Sequence, residues 1–160
     1  MAIKDILLLG NPLLYEKSEP VRVEEIPALL PKLDLMFETV LDFRKKYGAG
    51  RAIAAPQIGL MKRIICLNID EPVAMINPEM FDLSEEMFEV WDDCMSFPNL
   101  LVKVMRHKKL TISFFDLNWE KQTWYLEDDM AELIQHEYDH LNGILATQLA
   151  IDNFSLRWKP

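Results

Sequence analysis

The sequence predicts an α+β fold: a helix in the first third, a run of short strands, and a second helix near the C-terminus. Three patterns carry the prediction. Apolar residues recur at helical spacing over residues 27–47, short apolar or alternating runs fill residues 63–126, and helical spacing returns over residues 128–142.

The first 20 residues read as an extended arm with turns, because Asn11-Pro12 and Glu19-Pro20 interrupt any longer element. In the first helix Leu30, Leu33, Phe37, Val40 and Leu41 share a face, with Glu38, Asp42, Lys45 and Lys46 between them. Gly48 and Gly50 end it, as glycine commonly does just past a helix. Residues 63–67, 74–76, 100–105, 110–115 and 123–126 read as strands, several bounded by Asp70, Pro72, Asn77-Pro78, Pro98-Asn99 and Asn118. The second helix starts near Asp128, an acidic residue suited to a helix N-terminus, and stops at Gly143. Residues 144–160 carry no clear period. Neither a repeat nor a linker divides the chain, so residues 1–160 read as a single domain.

Half the residues are hydrophobic and 27% are charged, the balance of a soluble globular protein with its own core. The net charge of -9 disfavours binding to DNA, bulk RNA or anionic lipid, and leaves a ribosome contact only through a local basic patch. Cys66 and Cys94 are the only cysteines and read as reduced thiols. The apolar run at residues 6–9 is too short for a signal peptide, and no stretch approaches the roughly 20 apolar residues of a membrane span. The expected location is cytoplasmic.

His136-Glu137-Tyr138-Asp139-His140 is the sharpest motif. Histidines four apart on a helix lie about 40° from each other, so both rings reach one ion. A glutamate directly after the first histidine lies beside that ion and handles the proton of a water. A plainer account is two surface histidines on an amphipathic helix, but only three histidines occur in the chain and two fall in this spacing. A hydrolytic site needs a third protein ligand and one open position. Only 20 residues follow His140, with Asp152 their single acidic side chain, so the third ligand comes from upstream. Cys94 is the natural candidate, since a thiolate binds Zn²⁺ or Fe²⁺ well. Spacing leaves it open against a purely apolar role for Cys94, and Cys66 and His107 compete from stretches that read as structural.

Three segments together resemble the peptide deformylase family. Gln135-His136-Glu137-Tyr138-Asp139-His140-Leu141 with Asn142-Gly143 looks like its helix motif. Asp92-Asp93-Cys94-Met95-Ser96 is similar to its Glu-Gly-Cys-Leu-Ser segment. Gly50-Arg51-Ala52-Ile53-Ala54-Ala55-Pro56-Gln57 is similar to its Gly-x-Gly-x-Ala-Ala-x-Gln segment. The opening residues 2–7, Ile76-Asn77-Pro78 and Arg106 fit in order, and the likeness covers about residues 1–147. It implies a small α+β fold, with antiparallel strands around a central helix that carries the metal motif, and an N-terminal helix. It also implies one ion per chain, Fe²⁺ in cells with Zn²⁺, Ni²⁺ or Co²⁺ as substitutes, held by Cys94, His136 and His140. The implied reaction removes the formyl group from the N-terminal formyl-methionine of new polypeptides. Glu137 would move the proton, and Gln57 with the backbone N–H of Met95 would stabilise the oxyanion. Gly50, Ala52, Asp92, Asp129 and Leu133 would contact the substrate.

Departures from the family pattern cluster near this chemistry. Ala52 replaces a glycine, where a methyl obstructs a close approach or a positive φ. Asp93 replaces the glycine before the cysteine and either adds charge near the ion or points to solvent. Asp129, about 20° from His136 around the helix, stands where the family usually has an apolar residue in the methionine pocket. It either makes that pocket polar or caps the helix. Beside formyl-methionine deformylation stand three other readings: an amidohydrolase for another N-formyl amine, a metal-binding homologue without turnover, and an ordinary metallopeptidase. The intact Glu137 and the lack of a downstream ligand weigh against the last two.

Overall fold

In the computed structural model, which describes residues 2–159, helix α1 (Ile26–Tyr47) begins one residue earlier than its apolar period predicts. Leu33, Met36, Val40 and Phe43 form its buried stripe. Pro27 sits in the first turn, where a missing N–H is no loss. Arg44, Lys45 and Lys46 favour the negative end of the helix, and Gly48, at φ 74°, closes it by donating to Arg44 O.

Eight strands and a second helix follow: β1 (Ala52–Ala54), β2 (Ile64–Asn68), β3 (Pro72–Phe81), β4 (Met87–Asp92), β5 (Leu100–His107), β6 (Lys109–Phe115), β7 (Lys121–Glu127), α2 (Asp129–Leu141) and β8 (Leu156–Trp158). The strands form a five-stranded sheet, β1-β2-β3-β6-β7, and a three-stranded sheet, β4-β5-β8. Every pairing within the two sheets is antiparallel.

The larger sheet is covered on both faces, and β2 shows why. All five of its residues are buried. Ile64 and Cys66 pack with α1, whereas Ile65 and Leu67 pack with Ala131, Leu133 and Ile134 of α2. A strand covered on both faces reads as a continuous apolar run. Each such side chain contributes roughly 1.5–3 kcal/mol over leaving it exposed. Helix α2 touches β1, β2 and β7 of the large sheet and β5 of the small one, so the motif helix lies between the sheets. Cys94, Phe97, Val102 and Val104 join Leu14 and Leu145 in a third apolar cluster at the small sheet.

The five predicted strands are present, with β3 much longer than its predicted core. β1, β4 and β8 were not predicted. β1 has three residues, too few for a period. β4 is acidic and half-exposed, and β8 is exposed throughout, held by pairing with β5. The arm predicted for the first 20 residues contains two short 3₁₀ turns, Ala2–Asp5 and Pro12–Tyr15. Among the described residues, no helix is long and apolar enough to cross a membrane.

Candidate metal centre

The helical face of α2 puts His136 and His140 side by side, with their Nε2 atoms 3.3 Å apart. Cys94, two residues past the end of β4, brings its Sγ to 3.3 Å from His140 Nε2. The three ligand atoms lie within 4.8 Å of one another, and all three residues are buried. One sulfur and two imidazole nitrogens suit a borderline divalent ion such as Zn²⁺ or Fe²⁺. The other two candidates lie elsewhere. Cys66 packs against Met36 under α1, where burial pushes its thiol up. His107 Nδ1 lies 2.6 Å from Ser84 O.

The first histidine is oriented from behind. Asp92 Oδ2 lies 3.2 Å from His136 Nδ1 and accepts from Arg106 Nη2 at 2.5 Å. Arg106 Nη1 donates to Asp139 Oδ2 at 2.6 Å. A proton held on Nδ1 by the carboxylate leaves Nε2 free for an ion. Burial by itself would raise the Asp92 carboxyl, but His136 and Arg106 more than reverse that and hold it well below the usual carboxylate range. His140 is held well below the usual imidazole range by burial and by the neighbouring His136, which favours the neutral form a ligand needs. Its Nδ1 is buried without a partner among the described residues.

Glu137 is buried, and its Oε2 has no hydrogen-bond partner among the described residues. Burial pushes its carboxyl up to about 7, with Asp92 and Asp93 adding to the rise and His136 and Arg51 opposing it. A carboxyl poised near neutrality suits an acid–base role. Gln57, in the 3₁₀ turn Ala55–Ile58, accepts from Ala54 N through Oε1 at 2.9 Å. Its Nε2 donates to Ser96 Oγ at 3.1 Å and lies 3.5 Å from Cys94 Sγ, so the amide donor is aimed at the ligand cluster. Met95 is buried beside Cys94.

A cavity of about 350 Å³ opens onto Cys94, His136 and Glu137. Gly50, Ala52, Asp92, Asp93, Met95 and Leu133 line it as well. Gly50 has φ 134°, and a Cβ there would come within 3.2 Å of Met95 Cε and of Phe43. Ala52 sits in β1 and is not among the positive-φ residues, so its methyl forms wall without backbone strain. Asp129 is not in the wall. It is the exposed first residue of α2, and the N-cap before it, Asp128, makes no side-chain capping bond. Glu132 takes the wall position instead, with Oε2 4.0 Å from Arg51 Nη2. Burial, then the adjacent Asp92, pushes the Glu132 carboxyl up to about 8. Neither Glu132 nor Arg51 was singled out from the sequence, although Glu132 stands four residues before His136, the spacing that links the two histidines.

The polypeptide deformylase family model matches residues 3–153. Peptide deformylase 2 of Clostridium acetobutylicum is 35% identical over 153 residues, covering 95% of this chain and 98% of the relative. The peptide deformylase of Pseudothermotoga lettingae is 39% identical over 149 residues, covering 92% and 82%. Among solved structures, peptide deformylase from Thermotoga maritima superposes with a TM-score of 0.83 at 31% identity, covering 92% of this chain and 97% of that one.

Proposed function

The chain belongs to the polypeptide deformylase family, and on that premise we propose that Cys94, His136 and His140 hold one Fe²⁺ ion while Glu137 moves the proton. The protein is a hydrolase that removes the formyl group from nascent polypeptides. The carrying observation is the convergence of three buried ligand atoms beside a buried, unpartnered carboxylate. Zn²⁺, Ni²⁺ or Co²⁺ fit the same sulfur–nitrogen set. When bound, the ion supplies Lewis acidity, lowering the pKa of a water and polarising the formyl carbonyl.

The chain's own groups do the rest. Glu137 takes the proton of the attacking water and passes it to the departing amine as the carbon–nitrogen bond breaks, leaving formate and a free N-terminus. Gln57 Nε2, close to Cys94 Sγ, and the Met95 N–H serve the oxyanion. Such a donor is worth about 10²-fold or more in rate. Asp92 holds His136, and Arg106 holds Asp92. Gly50, Ala52 and Leu133 shape the substrate cavity.

We read residues 1–160 as one metallohydrolase domain working in the cytoplasm on formyl-methionyl chains. Lys17 and Lys121, with Arg63 beside them, line a second cavity that Glu79 also lines, and these cations support the reading of a local ribosome contact. Purified protein loaded with Fe²⁺ or Ni²⁺ should release formate from formyl-Met-Ala-Ser, and Glu137→Ala should keep the ion and lose turnover. No formate above a metal-free control, or full activity in that variant, refutes the assignment.

A further inference from the structure

We propose that Arg51 extends the substrate range to N-formyl peptides whose first side chain has the length of methionine and ends in a neutral hydrogen-bond acceptor, as in methionine sulfoxide or glutamine. The proposal rests on the deformylation described above. A formyl group placed between Glu137 and the Cys94–His136–His140 group leaves the adjoining residue of the substrate in the cavity those residues line. Met95 and Leu133 offer that residue apolar surface for its stem. The same wall also carries the ionisable groups of Arg51, Glu132, Asp92 and Asp93.

The Arg51 guanidinium and the Glu132 carboxyl lie 4.0 Å apart, too far for a hydrogen bond. Glu132 is largely buried and Arg51 is 38% exposed. Among the described residues, none accepts a hydrogen bond from the Arg51 guanidinium, so its five N–H donors are free for a ligand. An aliphatic tip pressed against these groups removes water from a guanidinium and a carboxyl and returns no bond. A cationic tip meets Arg51, and an anionic tip meets the carboxylates of Asp92 and Asp93. A neutral acceptor alone takes a guanidinium N–H without like-charge contact. The methionine thioether, a weak acceptor, falls between aliphatic and polar tips.

The test compares formyl-norleucyl, formyl-methionyl, formyl-methionyl sulfoxide and formyl-glutaminyl Ala-Ser peptides on the metal-loaded enzyme. At least one of the two strong acceptors should exceed norleucine in kcat/KM by about fivefold or more, the value of one net hydrogen bond. Which one does so separates an oxidised N-terminus from an amide side chain. In Arg51→Leu the ratio should fall to about one. Kd values of the same peptides for Glu137→Gln should show the same ratio without turnover, so a failure of deformylation and a failure of selection are told apart. Glu132→Gln removes the carboxyl 4.0 Å from the guanidinium, leaves the guanidinium to the substrate, and should keep or raise the ratio. Equal kcat/KM and Kd for norleucine and both acceptors overturns the proposal. So does a ratio that survives Arg51→Leu or falls in Glu132→Gln.

Discussion

At Asp92 one carboxylate oxygen serves both His136 Nδ1 and Arg106 Nη2, so the charge of a single side chain sets the orientation of a proposed metal ligand. Asp92→Asn keeps the shape and removes the charge. The His136 ring then loses the partner that fixes its proton on Nδ1, and metal affinity should fall about 10–100-fold. Competition titration against a chelator, on protein whose circular dichroism is unchanged, measures this. An unaltered affinity would remove Asp92 from that role. The residue scale is also where the sequence was least legible. His136, Glu137 and His140 stand out by spacing, and Cys94 by the shortage of downstream ligands. The wall did not follow as easily, because Asp129 and Glu132 both lie near the histidine face of α2. Helix α2 starts at Asp129, so that side chain remains with solvent, whereas Glu132 is a turn deeper and meets Arg51 and Asp92. Where the helix begins decides between them, and capping signals place a helix start only to within a residue or two.

Among the elements, α2 is held most firmly at its C-terminal end. Leu141 O accepts from Ser18 N and from Arg63 Nη1, each at 2.9 Å, which satisfies a carbonyl the helix leaves open. Gly143, at φ 73°, then turns the chain so close to the N-terminal arm that an added Cβ would lie 2.5 Å from Tyr15 O. Gly143→Ala therefore combines left-handed strain with a clash against backbone. The loss should be about 2 kcal/mol or more, a fall in Tm of about 4–8 °C for a chain of this size. A Tm within 1 °C of the parent, on the order of experimental scatter, would show that the arm yields freely. Gly143 was legible as a helix stop because glycine past a periodic run has one common cause. Its contact with Tyr15 was not, since no local pattern in either segment refers to the other. The same reasoning separates the strands. β2 and β6 read as apolar runs because both of their faces are largely buried. β4 is half-exposed and β8 exposed, and their pairing with β5 is a property of the assembled small sheet.

Across the whole molecule, the proposed ligand set joins two layers. Cys94 lies in the connection from β4 to β5 of the small sheet, while His136 and His140 sit on a helix packed against the large one. The unfolded chain has no such cluster, because 41 intervening residues separate Cys94 from His136 in sequence. An ion that binds only the folded form stabilises it by mass action, about 4 kcal/mol when free metal is a thousandfold above Kd. Chelation should therefore lower Tm by about 8–16 °C in a domain of this size, and readdition of Ni²⁺ or Fe²⁺ should restore it. Cys94→Ala breaks the link on the small-sheet side while both histidines remain. Its Tm should already be low and respond little to chelator. If the parent melts at the same temperature with and without chelator, the ion does not tie the sheets together. If Cys94→Ala responds as strongly as the parent, the cysteine is not what carries the tie.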